Sequence, residues 1–204
     1  YGPLSPETGA VVRSLDSLIG FLRTGLAGLP HAKKINLIVL SDHGMTEVDE
    51  SRYNYVFDTL PQAMVKRIYG GNPVWAVEPV EGKTDSVLLL LNIQQGMKAY
   101  RREDLPAHLH YGTHPRIPEV VLVADPGWTA GLRPEARYSR GDHGYDWRCS
   151  DMHSIFYAEG PAFKKGFATD TLFNVDIYNI VTGILGLTPA PNDGNRERIS
   201  PLLR

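Results

Sequence analysis

Residues 35–40, Ile35-Asn36-Leu37-Ile38-Val39-Leu40, form a nearly continuous apolar run that breaks off abruptly at Ser41-Asp42-His43-Gly44. Six residues fall far short of the ~18 a membrane span needs, and the run lacks the polar alternation of a strand with a solvent face. It reads as a strand buried on both sides. Upstream, Ser5-Pro6-Glu7 supplies an N-cap, a proline at the first helical position and an acid in the first turn. Val11, Leu15, Leu18, Leu22 and Leu26 then recur at helical spacing, which predicts a helix over residues 6–27, closed off by Pro30 and the pair Lys33-Lys34. Helix, short loop and all-apolar strand together predict a mostly parallel sheet buried under helices.

The middle of the chain has a different texture. Residues 73–77, 86–93 and 120–124 are strand-like and are separated by Gly-Gly, Glu81-Gly82-Lys83 and proline-rich turns, which predicts antiparallel pairing in an insertion at about residues 46–128. A polar loop from Tyr138 to Asp151 leads into a further buried strand at residues 152–158. Asn174 is expected to cap a helix carrying Val175, Tyr178, Val181 and Leu185, ended by Gly186 and Pro189. The expected class is α/β, helices flanking a sheet, with a small antiparallel α+β insertion. A length of 204 residues with 42% hydrophobic and 22% charged residues suits one large globular domain. A net charge of -2 offers neither a basic surface for nucleic acid nor a cationic face for a membrane.

Asp42 and His43 sit at the carboxyl end of the apolar strand, where open α/β sheets bind their ligands. A carboxylate beside an imidazole, followed by a glycine that lets the chain turn tightly, offers good donors to a divalent metal. A turn aspartate beside a solvent-exposed histidine would have the same local sequence, and at this level both readings stand. The triplet recurs as Asp142-His143-Gly144, so two strand-end loops could serve one site. One Asp and both histidines make three donors, too few for two metals. His108, His110 and His114 are spaced i, i+2, i+6 and interrupted by Gly112 and Pro115, which favours structural or exposed roles. Cys149, the single cysteine, lies beside Arg148 with no paired base nearby and reads as an inert, partly buried thiol. Tyr53, Tyr55, Phe57, Tyr69 and Trp75 in the insertion are expected to fill a core rather than rim a substrate crevice.

Taken together, several stretches resemble the ectonucleotide pyrophosphatase/phosphodiesterase family of the alkaline phosphatase superfamily. They are Leu37 through Ser41-Asp42-His43-Gly44-Met45, Gly141-Asp142-His143-Gly144-Tyr145-Asp146, and Asp151-Met152-His153 through Ala158-Glu159-Gly160-Pro161. Tyr1-Gly2-Pro3, His110-Tyr111, Asp125-Pro126-Gly127-Trp128, Asn174-Val175-Asp176-Ile177-Tyr178 and Asn192-Asp193-Gly194 agree in the same order.

The resemblance implies an alkaline-phosphatase-like fold and a two-zinc phosphodiesterase in which a Thr nucleophile attacks phosphorus in line. It implies Asp42 and His43 as ligands of the metal that activates this Thr, and His143 as a ligand of the second metal. Asp142 stands where many relatives have Thr or Ser and is at most a supporting residue. The family's nucleophile and its other metal-binding Asp and His residues lie upstream of the Tyr-Gly-Pro at which this chain begins. Thr46 is therefore no substitute, and residues 1–204 are expected to be the C-terminal portion of one catalytic domain that needs the N-terminal half of the same domain as partner. Small-molecule phosphodiester substrates, with nucleotides first, and an extracellular or periplasmic location follow from the same resemblance. Alternatives are a lysophospholipid or choline phosphodiesterase, a metallohydrolase of another branch such as a phosphonoacetate hydrolase, and a non-catalytic metal-binding fragment.

Overall fold

The computed structural model describes residues 1–133 and 139–204. Tyr138, where the polar loop was expected to begin, lies outside the described residues. In chain order the helices and strands are α1 (Pro6–Ala27), β1 (Leu37–Leu40), β2 (Thr46–Glu47), β3 (Tyr53–Tyr55), β4 (Val65–Gly71), β5 (Val74–Pro79), α2 (Thr84–Leu91), β6 (Met97–Arg101), β7 (Val120–Ala124), β8 (Thr129–Gly131), β9 (Gly141–Asp142), β10 (Phe156–Glu159), α3 (Asp176–Ile184) and α4 (Arg196–Ile199). The chain divides into two compact units, one of residues 1–11 and 43–153, the other of residues 12–42 and 154–204.

The first unit is organised by a four-stranded antiparallel sheet in the order β4-β5-β7-β6. Its central strand β7 shows how an all-apolar sequence is used. Val120, Leu122 and Ala124 join the main core with Val77, Val87 and Leu91, whereas Val121 and Val123 pack with Leu105 and Ile117. Both faces are buried, so the period-2 alternation has no polar phase. The expectation of a strand over residues 86–93 is corrected, because this segment is α2. Val87 and Leu91 are fully buried and Leu89 is 68% exposed. An i, i+4 pattern of burial is that of a helix, and a leucine-rich run of eight residues satisfies helix propensity as readily as a strand pattern.

In the second unit β1 pairs with β10 antiparallel, Leu37 opposite Glu159 and Leu40 opposite Phe156. The α/β class holds, but the parallel direction expected for β1 does not. Among the described strands only β3 and β8 pair in parallel. Nor is β1 buried on both sides as expected: Leu37, Ile38 and Val39 are half-buried and Leu40 is 45% exposed. Ile38, Phe156 and Ala158 pack against a core of Phe163, Ile180, Ile199 and Leu202 contributed by the region of α3 and α4. Helix α1 has the predicted bounds, yet Val12, Leu15, Leu18 and Phe21 are 53–81% exposed. The cap expected at Asn174 is absent: Val175 holds the N-cap position of α3 without a side-chain hydrogen bond.

The start of α3 is instead organised by Asp176, which is fully buried. Its carboxylate accepts hydrogen bonds from the backbone N–H groups of Phe173 (3.0 Å) and Asn195 (2.7 Å) and a bidentate pair from Arg198 (2.8 and 3.0 Å). Burial pushes this carboxyl up, but the Arg198 guanidinium and the two N–H donors outweigh it and hold the group below its ordinary value. A carboxyl depressed in the folded state contributes stability that is fully present above its unfolded pKa and is lost as pH falls through the folded one. In the full protein, Asp176→Asn should cost roughly 3 kcal/mol at neutral pH, because a buried ion pair loses one partner. The loss, read by urea denaturation, should shrink as pH falls below the ordinary carboxylate range. An unchanged pH dependence would mean Asp176 is not the titrating group.

Candidate metal centre

The two Asp-His-Gly triplets are joined by the shortest sheet among the described residues. β2 pairs with β9 antiparallel, Thr46 opposite Asp142 and Glu47 opposite Gly141. In this register the residues before Thr46 and those after Asp142 leave the bridge at the same end. The result is that His43 and His143, one hundred positions apart, stack with ring centroids 3.8 Å apart and planes inclined by 19°. Both lie in the first unit, and both are exposed. Asp42 precedes His43 in sequence and belongs to the second unit.

Each turn is held by polar contacts. His43 Nδ1 is 2.7 Å from the carbonyl oxygen of Gly44, which can only accept, so Nδ1 carries a proton. Gly44 donates its N–H to Met152 (3.0 Å), and a Cβ at Gly44 would fall 2.0 Å from the Asp151 carbonyl oxygen and 2.6 Å from that of His153. Thr46 is buried and its hydroxyl donates to Asp151 at 2.7 Å, a structural engagement. On the other strand, Asp142 accepts the His143 N–H at 2.8 Å and the Asn72 side-chain amide at 2.8 Å.

Among the described residues, no three His, Cys, Asp or Glu side chains group so as to hold a metal ion by themselves. The histidines of residues 108–114 are engaged separately. His108 pairs with Asp146 at 2.9 Å, His114 accepts the Arg116 N–H at 3.2 Å, and His110 is an exposed residue in the left-handed region (φ 50°). Hydrogen bonds from Arg148, with that of His108, hold the Asp146 carboxyl well below the usual carboxylate range. Arg148 is thus occupied with Asp146, and Cys149 packs against the main core. Of the insertion aromatics, Phe57 and Trp75 pack against that core and Trp75 donates to the Ala130 carbonyl at 2.8 Å. Tyr69 departs from the expectation and is 46% exposed. Sequence reasoning missed Asn72 and Asp151, whose partners lie 70 and 105 positions away.

This architecture, helices with mixed sheets and polar turns at strand ends, is that of an alkaline-phosphatase-like α/β fold. The family model "Type I phosphodiesterase / nucleotide pyrophosphatase" matches residues 1–146, and the chain belongs to this family. Ectonucleotide pyrophosphatase/phosphodiesterase family member 7 from Mus musculus is 32% identical over 214 residues, covering 100% of this chain and 48% of that protein. The human bis(5'-adenosyl)-triphosphatase ENPP4 is 38% identical over 195 residues, covering 95% of this chain and 43% of its own length. Among solved structures, an inactive variant of murine ectonucleotide pyrophosphatase/phosphodiesterase 5 in complex with AMP superimposes with a TM-score of 0.92 at 33% identity. That match covers 99% of this chain and 54% of the other. The chain thus spans about half the length of the relatives it matches.

Gly44→Ala tests the close approach at the first turn. No rotamer relieves a Cβ against two backbone carbonyls, so the turn must move, and a loss of about 1–3 kcal/mol in urea denaturation is expected, as for other overpacked positions. Stability equal to the parent would show that the contact with Asp151 and His153 is slack.

Proposed function

We propose that this chain supplies the C-terminal portion of a metal-dependent catalytic domain that hydrolyses phosphodiester or pyrophosphate bonds of nucleotides. Asp42, His43 and His143 are the residues that would hold zinc, the first two beside the nucleophile and His143 at the second ion. The observation that carries this reading is the stacked pair of His43 and His143, drawn together from opposite ends of the first unit. The donor chemistry fits zinc: a backbone carbonyl engages His43 Nδ1, as in many histidine ligands, and Asp42 is a carboxylate adjacent in sequence. When bound, two zinc ions supply charge stabilisation of the phosphoryl oxygens and a lowered pKa for the attacking hydroxyl. The chain's own residues hold the imidazoles at a fixed separation and orientation.

The Thr nucleophile and the remaining donors belong, on this reading, to the N-terminal half of the same domain. Two facts support that assignment: the chain covers about half of each relative, and the apolar stripe of α1 at Val11, Leu15, Leu18 and Leu22 is uncovered. Nucleotides are favoured over lipid or choline phosphodiesters because one relative is named as a bis(5'-adenosyl)-triphosphatase and one structural neighbour holds AMP. The extracellular or periplasmic location rests on the ecto-enzyme names of the relatives. No described helix is long and apolar enough to cross a membrane.

In the full protein, His43→Ala and His143→Ala should each lower kcat/KM for a nitrophenyl-nucleotide ester by about 100-fold or more and reduce the zinc bound per chain. Residues 1–204 produced alone should give no turnover with added zinc, since no covalent step is available without the nucleophile. Near-normal activity and zinc content in His143→Ala, or robust turnover by residues 1–204, would overturn the reading.

A further inference from the structure

Asn72 lies in the tight connection between β4 and β5, far in sequence from either Asp-His-Gly triplet, and it is half-buried. Its side-chain oxygen accepts the Ala130 N–H at 2.7 Å, and this fixes which way the amide faces. The NH2 group then points to Asp142 Oδ2 at 2.8 Å and to the Tyr145 hydroxyl at 3.1 Å. The Tyr145 hydroxyl in turn donates to the Trp128 carbonyl at 2.8 Å, so its oxygen is turned to accept. At the far end of this chain of bonds, Asp142 Oδ1 accepts the backbone N–H of His143 at 2.8 Å. Both oxygens of Asp142 are therefore used to hold protein groups.

We infer that Asn72 is a positioning residue for the candidate metal centre: through Asp142 it sets the backbone from which His143 projects toward His43. The inference rests on the zinc reading above. The ladder that joins the two turns has only two residue pairs, and so short a bridge cannot by itself fix the direction of a side chain one residue beyond its end. The Ala130–Asn72–Asp142–His143 chain supplies that constraint, anchored on the Ala130 backbone, which is buried in the main core. Directionality is unambiguous, since Ala130 demands an acceptor and Asp142 a donor, and the amide of Asn72 offers both. Partners of this kind around metal-binding histidines tune affinity as well as orientation, with losses of about 10–100-fold when removed.

The test is zinc affinity of the full protein, measured by competition with a chromophoric chelator and independent of turnover, for Asn72→Ala, Asp142→Ala and the double variant. Each single change should weaken zinc binding by about 10-fold or more, and the double variant should be no weaker than the worse single, because both cut the same chain. Asp142→Asn covers the case in which Asn72→Ala does not fold. An amide has one acceptor oxygen, so either the Asn72 or the His143 hydrogen bond is lost whichever way it turns, and zinc affinity should fall with zinc-free stability little changed. Tyr145→Phe keeps both bonds to Asp142 and should bind zinc like the parent. Unchanged affinity in Asp142→Asn, or additive losses in the double variant, would overturn the inference. His143→Ala separates the two levels: if it too binds zinc normally, the zinc reading itself fails, and if it alone loses zinc, only the role of Asn72 does.

Discussion

Two residue pairs, Thr46 with Asp142 and Glu47 with Gly141, decide what this chain can do, because their antiparallel register sends both Asp-His-Gly turns out of the same end of the bridge. Had the pairing been parallel, His43 and His143 would leave at opposite ends. Had it slipped by one residue, alternate side chains would have exchanged faces. So short a ladder has little stability of its own, and its register is supplied from outside. Val48 donates to the Arg140 carbonyl at 3.2 Å to extend the bridge by one bond, Thr46 is tied to Asp151, and Gly44 is seated against the carbonyls of Asp151 and His153. The histidine pair is the end product of these contacts, none of which is apolar.

This division of labour recurs in the rest of the molecule. Apolar packing builds the platforms: β7, covered on both faces, and the cluster around Phe163 and Ile180. Directional polar contacts then place the irregular segments that hang from them. Asp176 gathers two backbone N–H groups and Arg198 at the start of α3, and Asn72 links the end of one hairpin strand to β9. Burial is non-directional and gives little control over a turn, whereas a hydrogen bond with only one acceptable donor or acceptor fixes it. The fully buried Asp176 network is costly to break because each unpaired buried group pays its full desolvation cost.

What was legible in the sequence follows the same line. The bounds of α1, the strand at residues 120–124 and the two Asp-His-Gly turns are local patterns, written in spacing and in capping residues. Neither the direction nor the partial exposure of β1 was legible, because an apolar run says nothing about which neighbour pairs with its edge or how far its faces are covered. Residues 86–93 misled because Val87, Leu89 and Leu91 also satisfy strand alternation, and only the exposure of Leu89 shows that the period is helical. Asn72, Asp151 and Asp176 carry no local signal, since their partners are 19 to 105 positions away or lie in backbone amides. The histidines of residues 108–114, by contrast, make a conspicuous local cluster and turn out to be engaged separately.

Helix α1 poses the remaining physical question, since its sequence asks for burial that the chain does not provide. Phe21 is 81% exposed and Leu18 61%, and exposed apolar patches of this kind mark a surface that meets another. On the proposed reading that surface is the N-terminal half of the same domain, and the incomplete donor set of the histidine pair is its chemical counterpart. An ion whose donors come from both halves binds only the assembled state, so its binding free energy adds to the burial of α1 in holding the halves together. The converse also holds: covering α1 orders the second set of donors and so raises affinity for the ion. On the proposed reading, assembly of the halves and binding of the ion are in this way linked.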